Sequence, residues 1–251
     1  MIPICRPAFA AICMLFVATG AAPQSPTVTI ELEGGPVWQS YNDVEIPNDG
    51  SATRFSLSDL AGSGAWVGTR TYLTWNPTER HSLRLLVAPF SLTETGVPDR
   101  SVRFAGTNYV AEDPVQATYK FNSYRLTYRY RFHSSGRTAA WIGFTGKIRD
   151  AEIALTQGDL SSTKEDLGFV PLLHLSGEWR VAPRWSLGLD IDALAGGPGR
   201  AEDAALKVGF DLGDRWTVRG GYRTVEGGAD VEDVYAFAWL HYAVASVTWR
   251  L

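Results

Sequence analysis

The chain has 251 residues, a formal net charge of −4, nine tryptophans and only two cysteines. Both cysteines, Cys5 and Cys13, lie at the start of the chain, as do both methionines. If this start is removed on export, the remaining protein has no sulfur atom. That excludes disulfides, thiolate metal sites and cysteine nucleophiles.

The first residues are typical of a secretory signal peptide. Arg6 precedes an apolar run over 8–18, and small residues follow it over 19–22. This order of charge, apolar core and small residues marks export, and the run is too short for a membrane helix. We therefore expect residues 1–22 to be a signal peptide, cleaved between 20 and 25, and residues 23–251 to form one domain.

The rest of the chain alternates apolar and polar residues with period two. In 123–132, for example, Tyr124, Leu126 and Tyr128 fall on one face, and Arg125 and Arg129 fall on the other. Successive side chains of a strand point to opposite sides, so each such segment has one apolar and one charged side. In chain order, the predicted strands are 27–39, 64–75, 81–93, 119–132, 139–155, 169–181, 184–195, 203–212, 215–225 and 235–251.

The connections between these segments alternate in length. Short turns are expected at 76–80, 133–138, 182–184 and 213–214. Long loops, in which acidic residues far outnumber basic ones, are expected at 40–63, 94–118, 156–168, 196–202 and 226–234. An even strand number with alternating short turns and long loops is typical of outer-membrane barrels, whose short turns face the periplasm. The fold class predicted is all-β, a closed antiparallel transmembrane β-barrel of about 10 strands, with 8 as the alternative.

The tryptophans support this interpretation. All nine fall near the ends of predicted segments, where an amphipathic ring is favoured at the boundary between water and hydrocarbon. The expected interface aromatics are Trp38, Trp66, Trp75, Trp141, Trp179, Trp185, Trp216, Trp239 and Trp249.

These features resemble the small bacterial outer-membrane β-barrel proteins. The closing run 244–251 also resembles their aromatic last strand, which the barrel assembly machinery reads, although Leu251 replaces the usual terminal Phe. The resemblance implies export to the outer membrane and contact with its lipid and lipopolysaccharide. Ten strands with long outer loops also look like the omptin proteases, but that mechanism needs aspartate and histidine pairs at the outer rim, and no long loop here contains a histidine.

If the apolar face meets lipid, the charged face must line the lumen. We expect this basic lumen to hold either a structural network of ion pairs or a narrow path that attracts anions. Because these charges alternate within strands and form no exposed basic patch, no nucleic-acid partner is expected. The predicted lumen charges are Glu31, Glu33, Arg70, Arg84, Arg125, Arg129, Arg131, Lys147, Arg149, Glu178, Arg180, Asp190, Asp192, Lys207, Asp211, Arg219 and Arg223.

One candidate for catalysis stands out. His174, Ser176 and Glu178 share a strand face, and a His-x-Ser pair resembles the outer-membrane lipid A deacylases, in which histidine activates a serine for ester cleavage. Those enzymes act at the lipid-facing surface, however, whereas this register places all three side chains in the lumen. The resemblance thus implies His174, Ser176 and Glu178 as the catalytic set of an alternative function.

Metal binding has weaker support. Asp230, Glu232 and Asp233, or Glu112 and Asp113, could bind a divalent cation, but their spacing matches no known loop for such ions. We expect no cofactor, and the small ligand stays unknown. The overall expectation is a non-enzymatic outer-membrane barrel with a structural, binding or narrow porin-like role. The alternatives are the esterase and a soluble periplasmic ligand-binding barrel.

Overall fold

The computed structural model describes residues 27–251, and the expected signal peptide lies outside them. The described chain is built of strands with one short helix. The strands are β1 (Thr27–Glu45), β2 (Phe55–Ser56), β3 (Gly64–Asn76), β4 (His81–Ala88), β5 (Ser91–Gly96), β6 (Val102–Phe104), β7 (Thr107–Tyr109), β8 (Val115–Ser134), β9 (Thr138–Gln157), β10 (Leu160–Ala182), β11 (Trp185–Gly196), β12 (Gly199–Asp211), β13 (Trp216–Val231) and β14 (Val234–Arg250). The helix is α1 (Leu57–Ala61).

The main sheet closes on itself. Long strands follow one another as antiparallel neighbours, and β14 returns to pair with β1 from Thr29 opposite Arg250 to Glu45 opposite Tyr235. β4 and β5 share one position because both pair with β8. The barrel therefore has ten wall positions and closes on itself, as a wall surrounded by hydrocarbon requires, although no backbone ladder joins β5 to the part of β3 that precedes Thr71. Within residues 27–251, no helix is long and apolar enough to cross a membrane.

The two faces of the wall are inverted relative to a soluble protein. On β8 and β9, Leu126 and Phe144 are 51% and 67% exposed, whereas Arg125 and Lys147 are 4% and 3% exposed. Water would favour the opposite arrangement, since arginine and lysine are almost never fully buried and apolar side chains usually are. The outer wall is therefore suited to contact with lipid, and the charges lie inside.

Aromatic rings mark the height of the outer apolar band. On β14, Trp239 and Trp249 share the outer face and are separated by His241, Ala243 and two further outer residues. Ten residues of strand span about 33 Å, which corresponds to roughly 25 Å of height at the usual barrel tilt. This equals the apolar band of an outer-membrane barrel.

Two of the nine expected interface tryptophans are placed differently. Trp66 and Trp141 lie on the inner register of β3 and β9, two residues before the buried Gly68 and Gly143. Trp66 packs against the buried apolar cluster and donates a hydrogen bond to Glu94 at 2.8 Å. Closeness to a strand end indicates the height of a ring along the barrel, whereas the side that the ring faces depends on register.

Three of the five expected long loops are instead extensions of strands. β9 and β10 continue through 156–168 and are joined by a tight turn at Gly158 and Asp159. The segments 196–202 and 226–234 likewise belong mainly to strands with tight turns. Above the apolar band, the outer face no longer needs apolar residues, so the alternation fades while the backbone pairing continues.

The two long connections, over 46–63 and 97–114, fold over the same end of the barrel as these extensions. The first carries β2 and α1, and the second carries the hairpin β6–β7. Together with the upper strands they enclose an apolar cluster, here called the apolar layer. Its most buried members, each at most 1% exposed, are Val37, Val44, Leu57, Phe104, Tyr109, Val115, Ala117, Leu155 and Leu240.

Candidate functional site

Below the apolar layer, charged side chains fill the middle of the barrel. We call this set the ionic layer. It comprises six cations, Arg70, Arg84, Arg125, Lys147, Lys207 and Arg223, and five carboxylates, Glu31, Glu33, Asp190, Asp192 and Asp203.

Asp203 and Glu33 are the centre of this layer. Asp203 Oδ2 lies 2.7 Å from both Arg70 Nη2 and Arg125 Nη2, and its Oδ1 contacts Arg223. Arg223 also donates to both oxygens of Glu33, at 2.9 and 3.2 Å. Because every oxygen has a cationic donor, these buried charges are paired, the condition under which such burial is tolerated.

These ion pairs cross the lumen. Arg125 on β8 and Asp203 on β12 stand four wall positions apart in a barrel of ten, as do Arg84 on β4 and Asp190 on β11. Arg84 holds both oxygens of Asp190, at 2.6 and 3.0 Å. Side chains that meet from nearly opposite walls obstruct the lumen at this height.

The structure forms a serine–histidine–aspartate arrangement, of which the sequence predicted the serine and the histidine but not the aspartate. Ser176 Oγ lies 3.0 Å from His174 Nε2, and Asp192 Oδ1 lies 2.8 Å from His174 Nδ1. The prediction that Glu178 is the carboxylate partner of His174 is wrong, because Glu178 lies 4.0 Å from Arg219, nearer the short turns. Asp192 faces His174 directly across the β10–β11 ladder, so sheet pairing supplies the partner that spacing along one strand could not.

This arrangement is tightly enclosed. His174 is 1% exposed and Ser176 is 6% exposed. Asp192 is shared with Thr145, at 2.8 Å, and with Arg125, at 2.9 Å. These contacts hold the imidazole rigidly, as in a nucleophilic site, but they also fill the space that a substrate would need.

A metal ion fits this region poorly. Among residues 27–251, the group whose ligand atoms converge is His174, Asp190 and Asp192. Asp190 forms an ion pair with Arg84, and Asp192 forms one with Arg125. A divalent cation would therefore have to displace two ion pairs. The weak candidates Asp230, Glu232 and Asp233 are exposed at the β13–β14 turn, and Asp230 accepts a hydrogen bond from Asn48.

The remaining predicted lumen charges lie above and below the ionic layer. Arg149 contacts Asp166 on the strand extensions. Toward the short turns, Arg131 lies 3.3 Å from Glu79, Arg180 lies 3.0 Å from Asp211, and Arg129 stacks over the ring of Trp141. Asp203 was not among the predicted lumen charges, although Asp203 lies on the same strand face as Lys207, four residues later.

A second serine–histidine contact, on the outer wall, was not anticipated. Ser40 Oγ lies 2.9 Å from His241 Nε2, and Tyr222 contacts the other ring nitrogen. Ser40 is the extra residue of a β-bulge, since Gln39 and Tyr41 face consecutive residues of β14. Bulges redirect side chains in this way, but no sequence signal marks this one.

No protein-family model and no curated protein matches the chain. Among solved structures, the outer membrane protease OmpT from Escherichia coli aligns over 93% of this chain and 99% of its own, with a TM-score of 0.57 at 9% identity. The translocator domain of autotransporter NalP from Neisseria meningitidis aligns over 91% and 89%, with a TM-score of 0.41 at 11% identity. Outer membrane protein AlkL aligns over 96% and 98%, with a TM-score of 0.40 at 13% identity. Given the inverted faces, the sealed wall and the likeness to OmpT, the chain has the closed ten-stranded fold of bacterial outer-membrane β-barrel proteins.

Proposed function

We propose that this protein is an integral outer-membrane barrel that acts as a closed scaffold, without enzymatic activity, and presents its extracellular rim for binding. The short turns face the periplasm, as is usual for such barrels. The strand extensions and the two long connections face outward, and together they form the extracellular rim. The observation that carries the proposal is the filled interior.

Two layers of side chains block the barrel, one above the other along its axis. The ionic layer bridges opposite walls, and the apolar layer above it packs Phe104 and Tyr109 of the β6–β7 hairpin inside the barrel mouth. Tyr109 is fixed there, since its hydroxyl donates to the carbonyl of Leu155 at 2.9 Å. These layers argue against the narrow porin-like role considered from the sequence.

The rim is large enough to be a binding surface. β10 has 23 residues, about 75 Å of strand, whereas crossing a membrane takes roughly 9–11 residues. More than half of this strand therefore stands beyond the apolar band. The rim carries an excess of acidic side chains, which favours cationic partners and disfavours direct contact with bare lipopolysaccharide phosphates.

Conductance across planar lipid bilayers tests the scaffold proposal. Purified protein inserted at high salt should give no steady single-channel currents, while a known porin in the same bilayers serves as the positive control. Steady currents with anion preference would overturn the proposal in favour of a pore. Extraction without detergent in the periplasmic fraction would overturn it in favour of the soluble barrel.

Ester hydrolysis is the second candidate, supported by the contacts of Ser176, His174 and Asp192. It ranks second because those side chains are enclosed. The OmpT likeness does not favour proteolysis, because the omptin mechanism needs histidine at the outer rim and none of the four histidines lies there. His81 and His133 lie at the short turns, His174 lies beside the ionic layer, and His241 lies on the outer wall. A serine-reactive fluorophosphonate should fail to label the folded protein. Labelling that is lost in Ser176→Ala but kept in Ser40→Ala would favour the esterase.

A further inference from the structure

The strand extension of β10 has a free edge. β10 pairs with β9 from its first residue onward, but its ladder with β11 begins only at Leu173, which lies opposite Ala193. Beyond that point, the remaining residues of β11 pair with β12 alone. Within the described chain, residues 160–172 of β10 therefore have a partner strand on one side only.

The backbone groups on this edge can be assigned residue by residue. Arg180 N donates to Arg137 O on the β9 side, at 2.7 Å, and the β9–β10 register continues from there without a shift. Successive residues of a strand direct their N–H and C=O groups to opposite sides, so even-numbered residues bond to β9. Pro171 is odd-numbered and has no N–H, which accounts for the end of the β11 ladder beside it. The residues whose backbone groups lie on the free edge are Ser161, Thr163, Glu165, Leu167 and Phe169.

Exposed apolar side chains accompany these unpaired groups. Phe169 lies ten residues above Trp179 on the outer face, so it marks the upper boundary of the apolar band. Leu167 stands beyond that boundary and is 76% exposed. A single exposed leucine needs no explanation. A row of unpaired N–H and C=O groups beside exposed apolar side chains, however, is a template for pairing with another chain.

The edge is ordered from inside the barrel. Ser162 points inward, donates a hydrogen bond to Phe104 O at 3.2 Å and contacts the Tyr109 hydroxyl at 2.7 Å. Both partners are buried in the β6–β7 hairpin. An edge that is already held in place loses little conformational entropy when it takes up a strand.

The outer face of the edge carries an unpaired negative charge. Glu165 is exposed and lies opposite Glu152 of β9. Lys120 Nζ lies 3.2 Å from Glu152 and 3.0 Å from Asp150, whereas Glu165 makes no ion pair within residues 27–251. A basic residue opposite Glu165 on an added strand is therefore favoured.

A second copy of this chain fits the edge poorly. Two copies in one membrane are related by rotation about the membrane normal, so their β10 edges would run in the same direction. The outer face of one edge would then continue as the inner face of the other. The two Leu167 side chains would lie on opposite faces and could not cover each other.

We propose that the free edge of β10, residues 161–169, binds an extended peptide segment of another protein as an added antiparallel strand. The segment presents two apolar residues opposite Phe169 and Leu167 and a basic residue opposite Glu165. Backbone hydrogen bonds supply affinity, and these three side chains supply specificity. The inference rests on the proposed binding role of the rim and names its kind of partner.

A synthetic peptide tests this pairing. The probe is fluorescently labelled acetyl-Val-Thr-Val-Thr-Arg-Thr-Thr-Thr-Thr-amide, titrated with the purified protein in detergent and followed by fluorescence anisotropy. Wild type should bind it saturably, and Leu167→Pro should bind about tenfold more weakly, because proline removes an edge N–H but no bond to β9. The peptide N-methylated at its second valine and at its arginine should not bind. Absence of binding to wild type, or equal binding of the methylated peptide, would overturn the proposal.

Charge reversal tests the specificity of the edge. Glu165→Lys should weaken binding of this peptide about fivefold and should prefer the same peptide with glutamate in place of arginine. Glu232→Lys makes the same charge change at the exposed β13–β14 turn and should bind like wild type. Equal weakening by both substitutions would show attraction to the rim as a whole and would refute pairing at this edge.

Amide hydrogen exchange, followed by NMR, needs no variant. Without peptide, the amides of Glu165 and Leu167 should exchange fast, and those of Lys164 and Asp166, bonded to β9, should exchange slowly. The peptide should slow the first two. Slow exchange of Glu165 and Leu167 in its absence would mean that the edge is already paired, by a second copy for example, and would overturn the proposal. Steady pore currents, by contrast, would overturn only the closed-scaffold role and leave this pairing in place.

Discussion

Asp192 binds two partners from different walls at once: its Oδ1 lies 2.8 Å from His174 Nδ1, and its Oδ2 lies 2.9 Å from Arg125 Nη1. One carboxylate thus joins β8, β10 and β11 through the lumen. These contacts fix the orientation of the His174 ring and neutralise the charge of Arg125, which is buried. Asp192 therefore has a structural role beside its place in the Ser–His–Asp geometry, because it connects three strands of the wall.

Loss of this carboxylate charge should be strongly destabilising. Asp192→Asn keeps the size of the side chain but leaves Arg125 with Asp203 as its remaining anion. We expect the free energy of unfolding to fall by about 3 kcal/mol, the usual result of removing one member of a buried ion pair. Reversible urea unfolding in lipid vesicles measures it. Asp233→Asn at the exposed turn is the control and should change the value by less than about 0.5 kcal/mol.

The position of the membrane can be tested on the outer wall. Ala245 lies on the outer face between the levels of Trp239 and Trp249. An arginine there meets the middle of the hydrocarbon, so Ala245→Arg should cost about 2–4 kcal/mol of stability in a bilayer. Thr163→Arg, on the strand extension of β10, should cost under about 1 kcal/mol. Equal effects of the two substitutions would contradict the placement of the apolar band.

Closure of the barrel wall depends on a close approach at one glycine. A Cβ added to Gly35 would lie 1.9 Å from the carbonyl oxygen of Ala243 on the neighbouring strand β14. At Gly220, the nearest atom would be 3.8 Å away, an ordinary contact. Gly35→Ala should therefore lose about 2 kcal/mol or more, and Gly220→Ala about 0.5 or less. The heat-induced gel-mobility shift of the folded barrel reports both, and equal shifts would refute the clash.

The cap over the barrel mouth should open when its apolar contact is removed. Phe104 on β6 is fully buried, whereas Asn108 on the same hairpin is exposed. Phe104→Asp places an unpaired carboxylate in the apolar layer, which costs several kcal/mol and should release the segment 97–114. Limited proteolysis of protein in vesicles should then cut this segment much faster than in wild type. Asn108→Asp should behave like wild type, and equal cleavage of the two variants would show that the hairpin does not seal the mouth.

The barrel wall was largely predictable. All ten wall positions overlap the predicted segments, because the two-residue period of a strand is a local property that needs no knowledge of neighbours. The extracellular extensions were missed, since pairing continues there after the apolar alternation has ended. Trp141 shows a related limit: closeness to a strand end did not indicate that its ring lies on the inner register.

The candidate site was less predictable. Arg125, His174 and Asp192 were each placed in the lumen from parity along their own strands, yet Glu178 was expected where Asp192 is found. Asp203, the most shared carboxylate, was omitted although it is the first residue of the predicted strand 203–212.

The sequence by itself determined that strands of alternating character would form a wall with one charged face, because side-chain direction along a strand repeats every two residues. Only the tertiary structure decided which charges meet, which serine reaches a histidine, and that Lys147 makes no ion pair within residues 27–251. Those contacts join strands up to four wall positions apart. They depend on the stagger with which the barrel closes, a quantity that no single segment contains.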